Sequence, residues 1–269
     1  MRFHFSTVCI EDAFFKPVMK GVQDAAGLLG VETVFEGTHE VDIEGHLRLI
    51  EKAIAGGCDG LAIAIAHPDR YNGVIRLARE KGLPVVAFTL DNAASGRMSG
   101  VAQDTFRAGQ AFAGRMEKLI PDGGKVLVSV HTEGIDALEK RIEGMRSGLA
   151  HKGIRWKKIT ASTTAEESAC IIGKALDEDP EICAVCATGL PDTEGAGMAL
   201  HRRNGAMKIA AAGFDLSETI LRHIEQGILA FTIDQQPYIQ GFMPAMQLYL
   251  CCKLGLAPSD MDSGAAVID

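Results

Sequence analysis

Residues 60–92 read GLAIAIAHPDRYNGVIRLAREKGLPVVAFTLDN. The stretch opens with an apolar run, Leu61–Ala66, and turns at His67-Pro68-Asp69. It continues through Arg70–Lys81 with Val74, Leu77 and Ala78 on one face, and closes with a second apolar run, Pro84–Leu90. Two short apolar runs around a segment of helical period make a strand–helix–strand unit. Neither run alternates with polar residues, so both strands are expected to be buried on two faces, as in a parallel sheet covered by helices.

The same unit recurs in both directions. Further strand-like runs are Phe3–Ile10, Val31–Glu36, Lys125–Val130, Trp156–Ala161, Ile182–Ala187, Lys208–Gly213 and Ile228–Ile233. Helical stripes lie between most of them: Val18, Met19, Val22, Ala25, Ala26 and Leu29 within Lys16–Leu29, and Leu47, Ile50 and Ile54 within Gly45–Ala55. The pattern falls into two series. The first has four strands and ends near Asp91; after Gly100–Thr105 it restarts, with Pro121-Asp122-Gly123-Gly124 turning into a new strand. The fold expected is α/β, with two similar doubly wound lobes of parallel sheet joined by several chain crossings. The first lobe would hold residues 1–104 and 236–260, including a terminal helix at about Tyr238–Leu254, and the second 105–235 and 261–269.

Bulk composition narrows the function. The chain of 269 residues is 47% hydrophobic and 23% charged, ordinary values for a folded globular chain. A net charge of −8 argues against a surface that tracks phosphates, so no nucleic-acid partner is expected. No apolar run is long enough to span a bilayer. Met1-Arg2-Phe3-His4-Phe5 enters a strand directly, without the basic start, apolar core and small-residue cleavage site of a secretory leader. The chain is therefore either cytosolic or begins at a processed end. Cys183 and Cys186 have a zinc-like spacing, but within a strand residues three apart face opposite sides, so core cysteine is the reading and no metal or cofactor is expected.

Open parallel sheets bind ligands beyond the carboxyl ends of their strands. Those ends carry Glu11-Asp12-Ala13-Phe14-Phe15, His67-Pro68-Asp69, Asp91-Asn92 and His131-Thr132-Glu133-Gly134, with Arg141 about two turns into the helix that follows. Later ends carry Thr188-Gly189, Phe214-Asp215 and Asp234-Gln235-Gln236-Pro237. Taken singly, each has an ordinary role: Phe14-Phe15 as a hydrophobic staple, Asp91 and Asp215 as loop or capping carboxylates, Arg141 on a solvated helix face, His67 as a turn residue. Together they match a polyhydroxyl ligand. Carboxylates and amides pair with adjacent hydroxyls, a guanidinium fork bridges two oxygens, and aromatic faces cover C–H surfaces.

With these motifs, and above all Gly213-Phe214-Asp215 followed by Thr232-Ile233-Asp234-Gln235-Gln236-Pro237, the whole chain resembles the type I periplasmic binding proteins of sugar ABC transporters, the ribose-binding group. The resemblance implies a binding protein, not an enzyme, that closes its lobes over a simple sugar or polyol, works outside the cytoplasm and docks on membrane permease subunits. The roles it implies fall on Phe14, Phe15, Asp91, Arg141, Asp215 and Gln235, and Asp12, Asn92 and Asp104 complete the expected ligand set. Glu11 and Asp12 replace asparagines common before the aromatic pair, Asn92 an arginine, and Gly189 an asparagine. These departures point away from ribose, toward another hydroxyl pattern or a ligand bearing an amine.

Two other classes share parts of this signature. The effector domain of a LacI-type repressor has the same fold but needs an N-terminal helix-turn-helix. A doubly wound sugar enzyme would show a phosphate loop or nucleophile elbow, yet Gly123-Gly124-Lys125 precedes a strand and no Gly-x-Ser-x-Gly occurs.

Overall fold

A computed structural model describes residues 1–11, 13–203 and 209–269. The chain forms two compact units: Met1–Gln103 with Gln236–Ser263, and Asp104–Gln235 with Gly264–Asp269. Unit 1 opens with β1 (Arg2–Thr7), α1 (Phe15–Leu29), β2 (Glu32–Gly37), α2 (Ile43–Ala55), β3 (Gly60–Ile63), α3 (Asn72–Glu80), β4 (Val85–Thr89) and β5 (Ser99–Ala102). Unit 2 follows as α4 (Thr105–Met116), β6 (Lys125–Val130), α5 (Asp136–Gly148), β7 (Arg155–Thr160), α6 (Ala165–Glu178), β8 (Ile182–Ala187), α7 (Leu190–Arg202), β9 (Ala210–Phe214), α8 (Glu218–Glu225) and β10 (Phe231–Asp234). The chain then returns to unit 1 with α9 (Pro237–Leu254) and β11 (Met261–Asp262), and ends in unit 2 with β12 (Ala266–Ile268).

Each unit holds a six-stranded sheet, ordered β11-β5-β4-β3-β1-β2 in unit 1 and β12-β10-β9-β8-β6-β7 in unit 2. All neighbouring strands pair in parallel except β10 and β12. In unit 1, Phe3, Phe5, Val86 and Phe88 face α1 and α9, burying Val18, Val22, Ala245 and Leu248. Leu61, Ile63, Val85 and Ala87 face α2 and α3, against Ile50, Ile54, Ile75 and Ala78. The apolar runs that opened the sequence reading are thus the two-faced central strands.

Several boundaries differ from the sequence reading. The first sheet does not end near Asp91, because Ser99–Ala102 pairs in parallel with β4 as a further strand. Of these only Val101 favours a strand, and tertiary pairing decides the matter. β1 stops at Thr7; Cys9 takes a left-handed φ of 52° and the chain turns away. The last crossing follows Ser263, because Met261 and Asp262 pair with Val101 and Ala102 in unit 1. Of the run Lys208–Gly213, Lys208 lies outside the described residues and the strand begins at Ala210.

Helices α1 and α9 of unit 1, and α4 and α5 of unit 2, pack at backbone range. A Cβ on Gly21 of α1 would lie 2.1 Å from the Tyr238 carbonyl oxygen, and one on Gly241 of α9 would lie 2.0 Å from that of Val18. In unit 2, a Cβ on Gly109 of α4 would lie 2.2 Å from the Arg141 carbonyl oxygen, and one on Gly144 of α5 would lie 2.1 Å from that of Phe106. Gly21→Ala should therefore cost about 1–3 kcal/mol through forced separation of α1 and α9; equal midpoints for variant and parent in urea unfolding would refute the close contact.

His46 on α2 is fully buried, its Nδ1 2.8 Å from the Tyr71 hydroxyl oxygen. Burial pushes its pKa down to about 4, against a weaker pull from the Ser6 backbone. The unfolded chain, with an ordinary histidine pKa near 6.5, binds this proton between pH 6.5 and 4 while the folded chain does not. Stability from this group therefore falls as pH falls through that window, by at most about 1.4 kcal/mol per pH unit. His46→Gln should show a shallower dependence of the unfolding midpoint on pH between 6.5 and 4, measured calorimetrically beside the parent; parallel curves would exclude the effect.

Candidate functional site

In unit 2 the polar set is built around one charge. Arg141 lies on α5 and is only 3% exposed. Its Nη1 donates to the Thr188 carbonyl at 2.6 Å, and its guanidinium carbon stands 4.3 Å from the centre of the Phe214 ring. Burial works against the charge and lowers the pKa, while the carboxylates of Asp215 and Asp192 work to keep it.

Each of these neighbours is itself fixed. Asp215 follows β9 with φ 74°, a left-handed conformation that aspartate tolerates better than most residues. Its N–H donates to Ile233 O at 2.9 Å and its carbonyl accepts from Thr232 Oγ1 at 2.8 Å. Its carboxylate Oδ1 accepts from Gln235 Nε2, so the ends of β9 and β10 are tied at the side chains as well. Asp192, in the first turn of α7, is fully buried. It accepts from the N–H groups of Thr188 and Gly189 at 2.7 and 3.0 Å and from Ser129 Oγ at 2.8 Å. Burial pushes its pKa up to about 7, against those donors. By holding the Thr188 backbone it orients the carbonyl that receives Arg141.

Unit 1 presents a second set. Phe14 is half-buried at the start of α1, its ring edge-on to Phe15 with centroids 5.2 Å apart. Phe15 is 6% exposed and packs in the core beneath it, near Phe35. The resemblance puts both rings on the ligand; of the two, Phe15 is packed among core residues and Phe14 is the more exposed. Asp91 meets Arg97 through two bonds, Nε to Oδ1 at 2.6 Å and Nη2 to Oδ2 at 2.5 Å. Arg97 Nη1 also reaches Asp260 Oδ1 at 2.6 Å. Burial lowers the Arg97 pKa, but the two carboxylates more than offset it and the net shift is upward. Gly100 leaves room for the pair, since a Cβ there would fall 2.4 Å from Asp91 Oδ2.

Two further expected residues make hydrogen bonds to local backbone. Asn92 accepts from Ala94 N at 3.1 Å and donates to the Pro68 carbonyl, bracing the loop between β4 and β5. Asp104 caps α4, accepting from Arg107 N at 3.0 Å. Asp12 lies outside the described residues. Arg97 and Asp192 were missed by sequence reasoning: Arg97 sits in a Gly-Arg loop with no spacing signal, and Asp192 reads as an ordinary first-turn acid.

The Asp91 geometry carries a stability consequence. Asp91→Ala leaves a 5% exposed guanidinium with one carboxylate, that of Asp260. The expected cost is about 1–3 kcal/mol, below that of a fully buried pair because Asp91 is 22% exposed. Denaturant unfolding of Asp91→Ala with a midpoint equal to the parent's would contradict this ion pair.

A family model described as a periplasmic binding protein domain matches residues 3–255. The chain is 30% identical over 274 residues to the xylose/arabinose-binding protein XylF of Sulfolobus acidocaldarius, covering 95% of this chain and 67% of that one. It is 24% identical over 233 residues to the ribose import binding protein RbsB of Haemophilus influenzae, covering 86% of this chain and 79% of that one. Among solved structures, an ABC transporter solute-binding protein from Burkholderia graminis in complex with D-arabinose matches with a TM-score of 0.93 at 23% identity, over 99% of this chain and 94% of that one.

Proposed function

Because the chain belongs to the periplasmic binding protein family, we propose that it is the sugar-binding component of an ABC importer, and that its ligand is a simple sugar or polyol, with pentoses the first class to test. The observation that carries this reading is the buried Arg141 with Asp215 and Gln235 at the strand ends of unit 2. A guanidinium, a carboxylate and an amide held there offer donors and acceptors to neighbouring hydroxyls. The xylose/arabinose-binding and ribose import binding proteins to which the chain is similar suggest the substrate class.

Unit 1 carries groups of the same kind: the Phe14 ring can cover a C–H face, and Asp91, held by Arg97, can accept from hydroxyls. A ligand that binds one conformation of the chain better than another shifts the population toward it, and that shift is the signal a membrane permease reads. Binding and release suffice; no bond is made or broken. The chain works outside the cytoplasm, with permease subunits as its partner. Micromolar affinity corresponds to about 8 kcal/mol, and a few hydrogen bonds to charged groups at roughly 1.5–3 kcal/mol each, with ring stacking, can supply it after the costs of association.

The test is a calorimetric and thermal-shift panel of pentoses, hexoses, polyols and amino sugars. One of them at 100 times its Kd should stabilise the protein by about 2.7 kcal/mol. Asp215→Ala should lose that shift. A parent protein that responds to no member of the panel would overturn the reading.

A further inference from the structure

His131 follows the last residue of β6, and Gly189 lies just past the end of β8, the strand paired beside it with Ser129 opposite Ala187. The two residues therefore leave the same end of the same sheet side by side. A Cβ on Gly189 would lie 2.8 Å from His131 Cδ2 and 3.0 Å from Nε2, so the ring edge bearing Nε2 covers the bare glycine. Nδ1 is engaged by Thr132 Oγ1 at 3.0 Å. Nε2 meets no hydrogen-bond partner among the described residues, yet it is not among the sealed polar atoms of the interior. Arg141 is close enough for its charge to act on the imidazole.

We propose that His131 is a ligand-contact and specificity residue of unit 2, presenting Nε2 to a sugar hydroxyl at the place where Gly189 offers no side chain. The proposal rests on the sugar-binding reading above and adds a residue to it. Burial, and secondarily Arg141, push the His131 pKa down to about 4, so the ring is neutral near pH 7 and adds no second cation beside the guanidinium. Thr132 can donate to Nδ1 or accept from it, which leaves Nε2 as donor or acceptor in turn. A hydroxyl needs a partner with that choice. The ring also fixes which hydroxyl positions fit, because its edge occupies the volume that a side chain at position 189 would otherwise fill.

Isothermal titration of the parent, His131→Ala and His131→Gln with D-xylose, D-arabinose, D-ribose and D-galactose tests this, with apo melting temperatures recorded alongside. His131→Ala should lose about 10-fold in affinity for the sugar the parent binds tightest, as befits one hydrogen bond. Its losses for the other sugars should be smaller, so that the ranking narrows. His131→Gln, which keeps a donor and an acceptor, should recover to within about 3-fold of the parent. The proposal is overturned if both variants match the parent, or if both weaken every sugar equally while the melting temperature drops, the mark of a space-filling ring. If Asp215→Ala is silent as well, or the parent binds none of the sugars, it is the sugar-binding reading that fails.

Discussion

A guanidinium that is 3% exposed has to be satisfied by the protein, and most of the geometry of unit 2 follows from that requirement. Arg141 needs an acceptor, and Thr188 provides its carbonyl. It needs counter-charge, and Asp215 and Asp192 provide it. It needs a flat surface, and Phe214 provides one. None of these is adjustable. The Thr188 backbone is pinned by Asp192, Asp215 is held left-handed by its bonds to β10, and α5 itself lies against α4 through glycines. The charge thus sits on a support whose parts belong equally to the core and to the polar face.

Unit 1 solves a related problem with the signs exchanged. Here the candidate acceptor is a carboxylate, Asp91, and the support is an arginine, Arg97, that joins it to Asp260. Asp260 belongs to the segment that returns after α9, so the acid following β4 is steadied by residues more than 160 positions later. A fork that meets one carboxylate through two bonds fixes its plane as well as its position. An acid oriented in this way presents its lone pairs in set directions.

Much of this architecture was legible in the chain. The central strands are apolar on both faces and their helices keep a clean 3.6 period, so the α/β plan and the return of the last helix could be read directly. What was illegible has identifiable causes. β5 is Ser-Gly-Val-Ala, a run that becomes a strand because β4 needs a neighbour. Phe14 and Phe15 are indistinguishable as letters, and only the register of α1 sends one ring into the core. Arg97 and Asp192 act on partners distant in sequence or through backbone N–H groups, relations that spacing does not encode. Arg141, Asp215 and Gln235 could be named because a family resemblance marks them; the capping bonds of Asn92 and Asp104 depend on local backbone geometry that the letters do not spell out.

The return of α9 sets an order on how the chain can be assembled. The inner face of α1, with Val18 and Val22, is covered by a helix made more than 200 residues later, and the contact at Gly21 and Gly241 closes only then. Unit 2 is continuous from Asp104 to Gln235, lacking only its short edge strand. Vectorial synthesis therefore reverses the usual sequence of events, in which the portion made first is finished first. The earliest half emerges with an open apolar flank and waits, while the later half can consolidate ahead of it.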